Sequence, residues 1–218
     1  MRIDVVRPFN KPTPEPLPEL DDWVGCIGAG GVDGLLAAGL YNGTVCLSRI
    51  PAADDGGEEE EAHEQLVSAS AHEAPVKGIA HMAAGGGRHW LVSASKDCTL
   101  RTWQYAKGDG APSCTAVCSG HTDAVDCVQA CPAASRETAL FASGSWDKTV
   151  KLWESPLVAQ QAGVELPEIL PKASLDGHTQ AVSCICWRQA DTIYRYPLLL
   201  PAHASRQRGS QRPHRAMI

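Results

Sequence analysis

No apolar run in this chain approaches the roughly 18 residues that a membrane-spanning helix needs, so no helical span is expected. Positive charge is also short. Lys and Arg number 19 against 25 Asp and Glu, for a net charge of −6, which gives no electrostatic reason to expect direct nucleic-acid binding. Any link to RNA has to run through protein partners. No secretory leader is recognisable, and the nine cysteines are odd in number, so reduced thiols in a reducing compartment are expected rather than a disulfide frame. Cys114-x3-Cys118 and Cys127-x3-Cys131 come nearest to metal spacing, but neither forms a paired knuckle and no His follows at finger distance, so no metal and no cofactor are expected. A G-x-S-x-G nucleophile elbow is missing too. What remains is an ordinary globular composition, with 44% hydrophobic and 20% charged residues in 218, enough for one domain or a large part of a bigger one.

Organisation comes from repetition. Residues 120–153 read GHTDAVDCVQACPAASRETALFASGSWDKTVKLW, in which apolar and β-branched residues alternate with polar ones on both sides of a turn at Trp146-Asp147-Lys148. Residues 71–103, AHEAPVKGIAHMAAGGGRHWLVSASKDCTLRTW, are a second copy, and Gly177-His178 opens a shorter third one, GHTQAVSCICW. Aligning the two full copies pairs His72 with His121, Ser93 with Ser143, Asp97 with Asp147 and Trp103 with Trp153. In both, the Asp lies four residues after the Ser and six before the Trp.

The opening His, preceded by Gly in one copy and Ala in the other, the Ser-x-Ser-x-Asp turn and the closing Trp, twice in order, resemble the WD-repeat family, in which each unit is one four-stranded blade of a β-propeller. The resemblance implies an all-β fold, here a partial propeller of about three blades and the start of a fourth. It also implies that His72, Ser93, Asp97 and Trp103, and likewise His121, Ser143, Asp147 and Trp153, form buried hydrogen-bonded tetrads tying the loop before the inner strand to the second and third strands. His178 and Asn42 are the partial counterparts in incomplete units. A Ser-His-Asp set is also the recipe of a hydrolase triad, and Ser143, His121 and Asp147 are the residues it would use. Repetition of the set, with a Trp in each copy, argues for structure rather than catalysis. No catalytic residue is assigned.

Taken in order, residues 1–20 hold a short β-like piece, Arg2 to Val6, and then prolines at 8, 12, 14, 16 and 18, which favour an extended linker. Blades are expected at about 21–70, 71–119 and 120–176, with the next beginning at 177–187. The first is weakened: Asp21-Asp22-Trp23-Val24 replaces the GH start, Asn42 aligns with Asp97, but Ala38 stands in the Ser position and Ser48 in the Trp position. Asp54, Asp55 and Glu58 to Glu61 read as a solvated loop that could attract a basic partner. An outer strand is expected near Lys172 to Leu175, inside an otherwise irregular surface connection. Residues 188–218 carry six Arg and one acidic residue. They are expected to be a disordered or non-native tail, with a nuclear address or RNA-binding arm as the other reading.

The order of features, a β piece, a Pro/Glu linker, then Asp-Asp-Trp-Val opening the first blade, is similar to the WD-repeat subunits of the PeBoW ribosome-assembly complex, over about Arg2 to Trp187. That resemblance implies a non-enzymatic scaffold of large (60S) subunit assembly and rRNA maturation, in the nucleolus and nucleoplasm. Its implied partners are the other PeBoW subunits and the pre-60S particle. A midasin-type ATPase contact belongs to a ubiquitin-like domain of which Arg2 to Val6 resembles only the last strand, so it is not expected of this chain. The alternative is a WD-repeat adaptor of another assembly, such as a ubiquitin-ligase substrate receptor or a signalling scaffold. Closed propellers need about four to eight blades, so a truncated three-blade chain is expected to expose an open edge.

Overall fold

The computed structural model describes residues 22–30, 35–49, 65–70, 72–85, 87–106, 111–132, 137–157, 165–189, 192–197 and 214–217. Arg2 to Val6, the proline-rich stretch and the acidic run at 54–61 lie outside them. All regular structure among the described residues is strand, arranged in four sheets. The first sheet runs β1 (Val24–Gly30), β2 (Leu35–Leu40), β3 (Thr44–Arg49) and β4 (Gln65–Ser70), each antiparallel to the one before. The second repeats the meander with β5 (Val76–Gly85), β6 (Arg88–Ser95), β7 (Leu100–Ala106) and β8 (Ser113–Cys118). The third does so with β9 (Val125–Ala130), β10 (Thr138–Ser145) and β11 (Val150–Pro156). Its outer strand is β13 (Ala173–Leu175), inside the stretch Lys172 to Leu175 where the sequence reading expects one.

Between these last two strands lies β12 (Glu168–Ile169), which pairs in parallel with β8 of the neighbouring sheet. Two flanking bonds extend the contact, Val117 N–H to Pro167 O at 3.0 Å and Ser119 N–H to Ile169 O at 3.1 Å. The sequence reads this stretch as irregular loop. It is too short for an alternating pattern, and the open backbone edge of β8 is what orders it.

The fourth sheet places strand at 188–189, 192–197 and 214–217, inside the stretch expected to be a disordered or non-native tail; residues 190–191, 198–213 and 218 lie outside the described ones. Its inner strand β14 (Val182–Gln189) is followed by β15 (Thr192–Pro197) and β16 (His214–Met217), all antiparallel. Thr-Ile-Tyr-Arg-Tyr is rich in β-branched and aromatic residues, and pairing supplies partners for the backbone groups along β14. Loss of the turn motif hides the strand from motif matching, not from propensity.

The core sits between successive sheets rather than within any one. Leu35, Val45, Val76, Leu91 and Trp103 fill the first gap, Val92, Leu100, Val125, Phe141 and Trp153 the second, and Ala142, Leu152, Val182 and Ile185 the third. A central strand such as β6 is therefore covered on both faces, which is why Trp90 to Ser95 are buried without alternation. The same joint recurs in each gap. The valine four residues after each His position, Val76, Val125 or Val182, meets a small residue on the second strand of the preceding sheet, Gly39, Ala94 or Gly144. A Cβ on Gly144 would stand 2.7 Å from Val182 Cγ1, and one on Gly39 would collide with Val76 Cγ1, so close approach of the sheets excludes a larger side chain there. A thiol crosses two of the three joints: Cys26 Sγ reaches Val76 O at 3.7 Å, and Cys127 Sγ reaches Val182 O at 3.8 Å.

Candidate functional site

The repeated polar residues come together in the second and third sheets. In the third, Trp153 Nε1–H donates to Ser143 Oγ at 2.8 Å, Ser143 Oγ lies 2.7 Å from His121 Nε2, and His121 Nδ1 lies 2.7 Å from Asp147 Oδ2. In the second the corresponding distances are 2.8 Å for Trp103 to Ser93, 2.8 Å for Ser93 to His72 and 2.7 Å for His72 to Asp97. An ionised carboxylate only accepts, so Nδ1 of each His carries the proton and Nε2 accepts the serine hydroxyl. Every donor then has one direction along the chain from indole to carboxylate. The loop before the inner strand, the second strand and the third strand are thereby tied.

Each Asp does more than face its His. Asp147 Oδ2 also accepts the Thr122 N–H at 3.2 Å, while Oδ1 accepts the N–H and hydroxyl of Thr149 at 2.9 and 2.8 Å. Asp97 does the same with Glu73 N–H and Thr99. The second Ser of the turn motif, two residues before the Asp, closes the other side. Ser145 Oγ donates to Asp123 O at 3.0 Å and accepts Asp147 N–H at 3.1 Å, and Ser95 acts likewise on Ala74 O and Asp97 N–H. Sequence reasoning gave no role to Ser95, Ser145, Thr99 or Thr149. The signal was present in the Ser-x-Ser-x-Asp-x-Thr spacing, which occurs in both copies.

The first sheet keeps one fragment of this. Asn42 Oδ1 accepts the Thr44 N–H at 3.0 Å, matching Asp147 to Thr149. Gly43 turns through the left-handed region with φ 86°, as Cys98 (70°) and Lys148 (72°) do in the other sheets. Ala38 and Ser48 stand in the places of the Ser and Trp, and the joint to Val76 holds the sheet instead. His178 is half-buried at the start of the fourth sheet.

Burial raises the Asp147 carboxyl, but the hydrogen bonds from His121 and Thr149 outweigh it and hold the group down at about 2. Asp97 is likewise depressed: burial opposes, and His72 and Thr99 prevail. Burial pulls the His121 imidazole below its ordinary range, against the opposite pull of Asp147, which leaves a neutral ring between a hydroxyl and a carboxylate. Ser-His-Asp connectivity at these distances is that of a hydrolase triad. The nucleophile is nevertheless spoken for. Ser143 and Ser93 are fully buried on central strands, and each hydroxyl oxygen already receives an indole N–H, so no carbonyl can approach it. Burial also lifts the Cys26 thiol to about 11 and the Cys118 and Cys127 thiols to about 12, keeping them protonated and poor as ligands or nucleophiles. No group of three or more His, Cys, Asp or Glu suited to a metal ion occurs among the described residues.

The polar tetrads therefore face inward, and the outward-facing groups lie at the turns. Trp146 is exposed and its indole N–H donates to Asp126 Oδ2 at 2.6 Å. Tyr41 is exposed with the Lys77 ammonium 5.3 Å from its ring centre.

Against known families, residues 63–104 and 112–154 match the WD domain, G-beta repeat. This is a chain of WD40 repeats. The matched WD40 stretches contain both complete tetrads, and the first and fourth sheets extend the same architecture on either side. Among curated proteins, the WD40 chain is 30% identical over 198 residues to the ribosome biogenesis protein WDR12 homolog of Drosophila erecta, covering 88% of this chain and 43% of that protein. It is 29% identical over 202 residues to the homolog of Drosophila yakuba, with the same coverage, and 29% identical over 211 residues to that of Nematostella vectensis, covering 46% of it. The chain thus spans less than half the length of the curated relatives it matches.

Proposed function

We propose that this chain is a non-enzymatic WD40 scaffold of ribosome biogenesis, supporting large-subunit assembly and rRNA maturation through protein–protein contacts. The observation that carries the reading is the similarity, across 88% of the chain, to proteins named for ribosome biogenesis. The geometry favours a scaffold for a separate reason. The residues with catalytic potential are consumed in internal hydrogen bonds, and the tetrads act as pins that hold blades in shape. What the blades offer outward are the turn residues Tyr41 and Trp146, amphipathic groups of the kind that anchor protein partners, with Lys77 of β5 and Asp126 of β9 beside them. The partners this reading names are the other PeBoW subunits and the pre-60S particle, in the nucleolus and nucleoplasm.

The test is sedimentation of the tagged chain from cells, with large-subunit precursor particles and PeBoW subunits followed in the same fractions. Migration with the precursors, lost on Trp146→Ala together with Tyr41→Ala but without loss of folded protein, is the expected result. A folded chain that stays at the top of the gradient, or travels with unrelated complexes, overturns the reading.

A further inference from the structure

We propose that the outer edge of β8 is a docking site for an extended peptide, added to the second sheet as a parallel fifth strand, and that the chain's own residues 167–171 occupy it as an internal ligand. Among the described residues the first and third sheets have four strands, and only the second has a fifth. That strand, β12, is foreign to the blade it joins. It comes from the connection between β11 and β13 of the third sheet, and it runs parallel to β8, where every other pairing among the described residues is antiparallel.

Recognition divides here as it does when a peptide adds to a sheet edge. Backbone groups supply the attachment, from Val117 N–H to Pro167 O and from Ser119 N–H to Ile169 O. Alternate side chains supply the choice of sequence. Ile169 packs on the core between the second and third sheets, and Pro171 lies against Gly120, where a Cβ would stand 3.0 Å from the proline Cδ. Glu168 and Leu170 face solvent, Leu170 at 69% exposure. The edge therefore takes a bulky aliphatic residue and, two positions on, a proline, with the residue between them free to vary. The internal ligand is also replaceable. Pro167 and Pro171 have no N–H and bring no further donor to the edge on either side of β12. Two paired residues and one half-buried isoleucine put its release at the low end of local opening costs. A partner segment with the same spacing competes for the edge against the high effective concentration of the tethered strap. Docking of this kind uses neither Tyr41 nor Trp146 and requires none of the partners proposed above.

The probe is a fluorescein-labelled peptide with the sequence of residues 165–172, ELPEILPK, titrated with the full chain and followed by anisotropy. The Ile169→Asp chain, its own strap expelled, is expected to bind the peptide at least about tenfold more tightly than the unsubstituted chain, and to lose that binding when the peptide carries Asp in place of its isoleucine. Ile169→Ala, which sets no charge against the core, is expected to give the same order of effects, and Leu170→Asp, on the outward side, to behave as the unsubstituted chain. Amide exchange reads the edge directly: the Val117 and Ser119 N–H groups should exchange faster in the Ile169 variants and regain protection with the peptide bound. No binding by either Ile169 variant, equal binding by the unsubstituted chain, or indifference to the isoleucine of the peptide overturns the proposal.

Discussion

The first and third sheets have the same four-strand order and the same joint to the next sheet, yet only the third has a polar tetrad. In the first sheet the Asn42 side chain accepts a single bond, from the Thr44 N–H, where Asp147 serves four donors. The difference separates two jobs. Stacking of blades is carried by apolar register, a valine against a small residue, and is indifferent to the tetrad. Fixing the turn and the three inner strands of one blade is carried by the tetrad, and the first sheet leaves that job to packing and to a glycine in its turn.

The largest effect expected from this comparison is at Trp153. Trp153→Ala removes a fully buried ring and the donor to Ser143, and should cost about 3–5 kcal/mol by urea unfolding. Ser48→Ala, at the matching place in the first sheet, should cost under about 1 kcal/mol. A similar cost at both sites would break the distinction. Next comes the turn. Asp147→Ala strands the His121 N–H and two backbone amides, for about 3 kcal/mol, whereas Asn42→Ala strands one amide, for about 1 kcal/mol. Gly144→Val and Gly39→Val sharpen the other side of the comparison. Both wedge a joint that the two sheets share, so each should cost about 1–3 kcal/mol, and a large disparity between them would show that the joints are not equivalent.

The smallest effect is on pH. His81, on the inner strand of the second sheet, is pulled by burial from 6.5 down to about 4, with its Nε2 buried and without a hydrogen-bond partner. The unfolded chain takes up this proton first, so the stability tied to a neutral His81 is full above pH 6.5 and is lost as pH falls towards 4. His121 acts in the same direction. Asp147, ordinarily near 3.8 and held at about 2, adds a further loss between those values. The thermal midpoint should therefore fall from pH 7 to 4, and His81→Gln should flatten that slope while leaving the fall below pH 4.

Much of this was legible in the sequence, for identifiable reasons. His, Ser, Asp and Trp at fixed spacing, twice, located the tetrads because a directional hydrogen-bond chain tolerates few other residue types. The first blade was legible even without the tetrad, because Asn42 aligns with Asp97 of the full copies. β12 was not, since two residues carry no period and their order comes from the edge of β8. β15 and β16 were missed because the turn motif had lapsed, although Thr192 to Tyr196 are residues that favour strands. The repeating joint also escaped notice. Gly39, Ala94 and Gly144 are unremarkable singly, and only the register between sheets shows that they do one job.

The most direct test of the central claim, that each tetrad is a single connected structural unit, is a double-mutant cycle on Ser143→Ala and Trp153→Phe followed by urea unfolding. Trp153→Phe keeps a ring in place and removes the N–H, while Ser143→Ala strands that N–H and the His121 Nε2. The expected result is a double variant more stable than the sum of the single losses by about 1 kcal/mol or more, since its second change removes the group that the first left unpaired. Losses that add to within about 0.5 kcal/mol would contradict it.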